Sequence, residues 1–160
     1  MLYYWRMLRH FFISNSRHGT HSPFVYKLAD QAIYKQRKEI GSPVELPKKF
    51  SKPYRLLLQD ILAYLDVHKL ERGEGKEGAI ALFFECDELD ESKLKLAMRN
   101  KQIVIMDEPH KNKKVQAKWN HLVQDPSVIV SLDLFHFGLL LCREGQRKEH
   151  FLLRYPFWTY

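Results

Sequence analysis

Apolar positions in the first 66 residues recur at helical spacing, whereas from residue 79 onward they gather into short unbroken runs. Residues 2–13 predict a helix of little more than three turns, with Leu2, Trp5, Leu8 and Phe12 on one side. That apolar stripe is expected to pack on the domain. Ser14-Asn15-Ser16 breaks the helix. A second one begins at Ser22-Pro23, Ser as N-cap and Pro in the first helical position, and runs towards Ile40. Gly41-Ser42-Pro43 and Pro47 end it. The third is the clearest: behind a Ser51 cap, Tyr54, Leu57, Leu58, Ile61, Leu62 and Leu65 form one continuous stripe. Val67 to Gly78 reads as a polar connector outside the core.

The apolar run Ala79–Phe84 has the signature of a strand covered on both faces. A helix over Leu89–Met98, a second buried strand over Gln102–Met106 and a helix over Val115–Val123 follow, the last stopped near Asp125-Pro126. Strands over Val128–Leu132 and Gly138–Cys142 come next, with a short last one near Phe151–Arg154. This order predicts an α/β protein in which parallel strands are extended by a C-terminal antiparallel hairpin. Three regions result: an N-terminal helical part, residues 1–66; a linker, residues 67–78; and an α/β domain, residues 79–160.

Composition narrows the class. With 45% hydrophobic and 28% charged residues the chain is globular rather than disordered. No apolar run approaches the ~20 residues of a membrane span, and Arg6, Arg9 and His10 interrupt the aromatic N-terminus before a signal-peptide core can form. A soluble, cytoplasmic protein with Cys86 and Cys142 reduced is therefore expected. The formal charge of +7 is uneven: residues 1–60 hold 11 Lys and Arg against 4 Asp and Glu, while residues 61–160 hold 15 of each. The basic third suits an acidic partner or a nucleic acid, with Tyr3, Tyr4, Trp5, Phe11 and Phe12 as stacking surfaces. Equally, it suits a solvated face on a helical extension.

The candidate chemistry sits where strands end. Asp87 follows the first buried strand and Asp107-Glu108 the second. Ligands of open α/β sheets lie beyond the carboxyl ends of the strands, so three carboxylates there are a candidate Mg²⁺ set; the alternative is that they cap the following helices. His110 is a candidate base beside them. Gly73–Gly78 matches G-x-G-x-x-G, but it follows a helix and a polar segment and leads into a strand, the wrong order for a phosphate cradle. His18 and His21 form an H-x-x-H with His10 nearby, but without a zinc-protease context, and a turn whose histidines bond to backbone is the alternative.

Two segments carry a resemblance. His18-Gly19-Thr20-His21-Ser22-Pro23-Phe24-Val25-Tyr26, and a C-terminal part in which Met106-Asp107-Glu108-Pro109-His110 stands for an Asp-Asp-Ile-His motif, resemble class I S-adenosylmethionine-dependent methyltransferases of Bacteroidetes type. The resemblance implies a partial Rossmann-like sheet. It makes Glu71, Gly73 and Gly75 the remains of the cofactor loop, and it implies that the strand–helix units forming the rest of the cofactor pocket are missing. A non-catalytic interaction domain or remnant, with no cofactor, is then expected. The alternatives are an active methyltransferase whose site, with S-adenosylmethionine and Mg²⁺, is completed by dimerisation, and a nucleic-acid-binding protein. With the middle cut out, Ala79–Phe84 becomes an unprotected edge that invites a homodimer.

Overall fold

Six strands form one mixed sheet in the order β1-β2-β3-β5-β4-β6. The computed structural model describes residues 2–16, 21–35, 44–47, 50, 54–73 and 80–157. Among them lie β1 (Leu70–Arg72), β2 (Ala81–Phe84), β3 (Ile103–Asp107), β4 (Val130–Asp133), β5 (Phe137–Leu141) and β6 (Glu149–Leu152). β1, β2 and β3 are parallel neighbours, β5 runs antiparallel between β3 and β4, and β6 runs parallel to β4. The α/β class and the antiparallel hairpin follow the sequence pattern; β1 and the parallel placement of β6 do not.

The helices are α1 (Leu2–Ile13), α2 (Pro23–Leu28, continued by a π-helical turn over Ala29–Ile33), α3 (Arg55–Tyr64), α4 (Glu91–Arg99) and α5 (Lys113–Gln124). Alternation along each strand divides the core in two. Phe83, Ile105, Leu132 and Leu139 face one way, onto α2 and α3 through Leu28, Leu58 and Ile61. Phe84, Val104, Met106 and Leu140 face the other, onto α4 and α5 through Leu94, Met98, Trp119 and Leu122. The sheet is thus sandwiched between helices, and α2 and α3 of the N-terminal part share its core instead of standing apart.

Local signals explain most boundaries. Ser22 accepts the Val25 amide as the predicted N-cap of α2 (3.4 Å). Asp90 and Asn112 cap α4 and α5, accepting the amides of Lys93 and Val115 at 2.9 Å each. Asp87, Asp107 and Glu108 cap neither helix. Among the described residues no helix is long and apolar enough to cross a membrane.

Three expectations need correction. Val67 and Leu70 are buried, and Leu70–Arg72 is a strand pairing with β2, so residues 67–78 are not wholly an external linker. The Gly73 loop accordingly follows a strand, not a helix. β2 is flanked by β1 and β3 and is no edge, so the edge reasoned to drive a homodimer through Ala79–Phe84 is already covered within one chain. The stripe of α1 also faces outward: Leu2, Trp5, Leu8 and Phe12 are exposed, Phe12 at 76%.

Candidate functional site

Asp133 closes β4 with its side chain on the α5 side of the sheet. It is buried, and four residues supply its donors. His110 Nε2 lies 2.8 Å from Oδ2 and 3.0 Å from Oδ1, and His10 Nε2 lies 3.1 Å from Oδ1. Trp119 Nε1–H donates to Oδ2 at 3.0 Å and the Phe135 amide to Oδ1 at 3.0 Å. Burial acts to raise the carboxyl's pKa, but the hydrogen bonds from His10 and His110 outweigh it and hold the group well below the usual carboxylate range.

Each partner is held in place by its own element. His10 is the buried residue of α1. His110 lies in the turn after β3, whose first residue, Glu108, has φ +44°. Phe135, at φ +70°, turns back between β4 and β5 so that its ring stacks on His110 (5.0 Å, 6°) and meets His10 edge-on (5.5 Å, 62°). Two non-glycine residues in the left-handed region beside one cluster mark a backbone fixed by its surroundings. Trp119 reaches Asp133 from α5 across Gly138, where a Cβ would stand 2.2 Å from the indole ring.

A cavity of about 260 Å³ opens beside this cluster, between α1 and α5. Gln116 and Asn120 of α5, Arg6 and Arg9 of α1, and His150 of β6 line it. His150 pairs with Ser131 across the strands, its Nδ1 2.7 Å from the Ser131 hydroxyl, and burial foremost holds its pKa below the ordinary histidine value. Among the described residues no hydroxyl, thiol or lysine lines the cavity, so its chemistry is that of imidazoles, one carboxylate, amides and the two guanidinium groups. A larger hollow, about 540 Å³, lies at the start of α2; His21 sits exposed at its rim, while His18 is outside the described residues.

The other predicted residues go elsewhere. His110, the candidate base, is in the cluster. Asp107 is buried and accepts a hydrogen bond from the Tyr54 hydroxyl. Glu108 accepts the Tyr3 hydroxyl at 2.7 Å and lies 3.4 Å from His136 Nδ1; burial, then that acceptor, raises the Tyr3 pKa. Asp87 is exposed. The three carboxylates do not converge: among the described residues the one group of three potential metal ligands is His10, His110 and Asp133, with atoms within 4.8 Å of one another. Glu71 pairs with Lys69 at 3.0 Å, and the Gly73 amide donates to the Phe83 carbonyl at 2.8 Å. Gly75 lies outside the described residues. Of the aromatic residues proposed for stacking, Tyr4, Trp5 and Phe12 are exposed while Tyr3 and Phe11 are half-buried against the domain.

Sequence reasoning missed His10 and Asp133 as site residues. Asp133 carries the same signal as Asp107, an acid ending an apolar strand; His10 carries only its place on the side of α1 away from the apolar stripe. No family model, no curated protein and no solved structure matches this chain.

Proposed function

We propose that the chain is a methyltransferase-like domain without the S-adenosylmethionine-binding half, acting as a non-catalytic interaction domain. The observation that carries this reading is the position of α1. An open α/β sheet takes its ligand in the crevice beyond the carboxyl ends of its strands. Here Tyr3, Arg6 and His10 reach from α1 to Glu108, the His110 carbonyl and Asp133, all at or just past those ends. The chain's own helix therefore lies where a small molecule would lie.

The remains of the cofactor loop add support. Parallel strands β1 and β2 are joined by residues 73–80 alone, fewer than the dozen or so residues of a crossover helix. The Gly73 amide, which a cofactor cradle would need, is engaged by β2, and Glu71 is engaged by Lys69. These residues do not fit S-adenosylmethionine. Each hydrogen bond forgone costs about 1–3 kcal/mol, and three or four of them amount to a loss of thousands-fold or more in affinity. The run of parallel strands ended by an antiparallel hairpin suits the resemblance carried by the HGTHSPFVY and Asp107–His110 segments.

Calorimetric titration of the full chain with S-adenosylmethionine tests the proposal. No saturable heat is expected up to millimolar ligand. Binding in the micromolar range overturns it.

A further inference from the structure

We infer that His10, His110 and Asp133 form a binding site for a divalent transition metal ion, which would fasten α1 to the end of the sheet. The inference does not depend on the methyltransferase reading. The Asp133 carboxylate is crowded. Oδ1 alone meets three nitrogens, His10 Nε2, His110 Nε2 and the Phe135 amide, at 3.0–3.1 Å. A carboxylate offers about four acceptor positions over two oxygens, and the Trp119 indole and His110 also address Oδ2. Two imidazoles aimed by Nε2 at one oxygen are thus more than that oxygen needs as an acceptor. With each ring proton carried on Nδ1 and the Nε2 protons released, the same two Nε2 atoms are what a metal needs as ligands.

The spacing fits. Ligand atoms about 2.05 Å from a tetrahedral ion stand about 3.3 Å apart. The Nε2–Oδ1 separations of 3.1 and 3.0 Å are close to that edge, and all three ligand atoms lie within 4.8 Å of one another. The two Nε2–Oδ1 edges need to open by only about 0.2–0.3 Å to admit the ion. Two imidazoles and one carboxylate favour zinc, cobalt or iron(II) over magnesium, which prefers oxygen donors and water.

The surroundings complete the case. Trp119 Nε1–H and the Phe135 amide hold the carboxylate as outer partners do in metal sites, and Phe135 stacks on His110 to fix its ring. All three residues line the 260 Å³ cavity together with the amides Gln116 and Asn120, which leaves room for a fourth ligand. Arg6 and Arg9 line the same cavity, so an anionic fourth ligand such as hydroxide or a carboxylate is favoured over neutral water. Two ligands come from the domain and one from α1, 123 residues from Asp133; the ion would bridge parts of the chain that are distant in sequence.

Chelator-treated full-length protein titrated with Co²⁺ tests this. One equivalent is expected to bind with the visible bands of a four- or five-coordinate ion, to be displaced by Zn²⁺, and to raise the melting temperature. His10→Ala and His110→Ala should each weaken binding by at least the ~10–100-fold that losing an outer partner costs. In the wild type, Zn²⁺ should shift the Trp119 indole N–H resonance and leave that of Trp5 in place, a reading independent of whether any variant folds. Absence of the bands, bands that persist in His10→Ala, or an unmoved Trp119 resonance each overturns the inference.

Discussion

Gly138 faces the Trp119 ring at a separation that admits no side chain: a methyl group there would stand 2.2, 2.6 and 2.7 Å from three ring carbons. The indole is rigid, fully buried and tied to Asp133 at its nitrogen, so it has no free end to swing away. Gly138→Ala must displace the whole ring or the strand. Overpacking of a dense core costs about 1–3 kcal/mol, and stretching the Trp119–Asp133 hydrogen bond adds about 1 kcal/mol. A loss of about 2–4 kcal/mol in unfolding free energy is expected from urea denaturation followed by tryptophan fluorescence. A change under 0.5 kcal/mol would mean that the ring does not rest on this strand. The sequence shows a glycine inside an apolar strand, a sign of close approach, but not what approaches it. Trp119 and Gly138 are brought together only by the fold.

At the scale of the element, α1 shows how a correct helix can be given the wrong face. Its apolar stripe is real, yet Leu2, Trp5, Leu8 and Phe12 point to solvent, and the side turned inward carries Tyr3, Arg6 and His10. The reason lies in what the helix covers. Strand ends are polar, with Asp133 buried and Glu108 half-buried, and burying them requires donors more than it requires area. A helix over that edge gains by presenting a hydroxyl, a guanidinium and an imidazole. Periodicity reports which residues share a face, not which face a polar surface will select. The same limit hid β1, since three residues with one buried leucine are too few for an alternation to register, whereas β2, β3 and the hairpin, built of four or five buried residues each, were legible. Exposed positions contribute little, so Trp5→Ser and Phe12→Ser should each change stability by under about 0.5 kcal/mol. Tyr3→Phe removes the 2.7 Å hydrogen bond to Glu108 and should cost about 1–2 kcal/mol. Chemical denaturation of the three variants decides. Equal or reversed costs would mean that the outer stripe, not Tyr3, carries the packing of α1.

For the whole molecule the decisive question is what stands beside β2. Four consecutive buried apolar residues with no neighbour on one flank would be a template for a second chain. Instead Leu70, Glu71 and Arg72 pair with Ala81, Leu82 and Phe83, while Ile103 to Met106 pair on the other side. Residue 45 adds a bridge to Lys69 just before β1, so the outermost flank is partly covered too. A sheet assembled this way hides its most apolar strands in the middle and leaves short ones, β1 and β6, at the rims, which is how natural sheets avoid edge-to-edge association. The pairing rests on a segment that composition marks as polar, so only the three-dimensional register assigns β2 its place. Backbone amides that exchange only on global unfolding report such a position directly. The amides of Leu82–Phe84 should therefore be among the slowest in the protein, with rates unchanged when protein concentration is raised a hundredfold. Rates that fall with concentration would place a second chain against β2, and β1 would then be a strand that gives way on association.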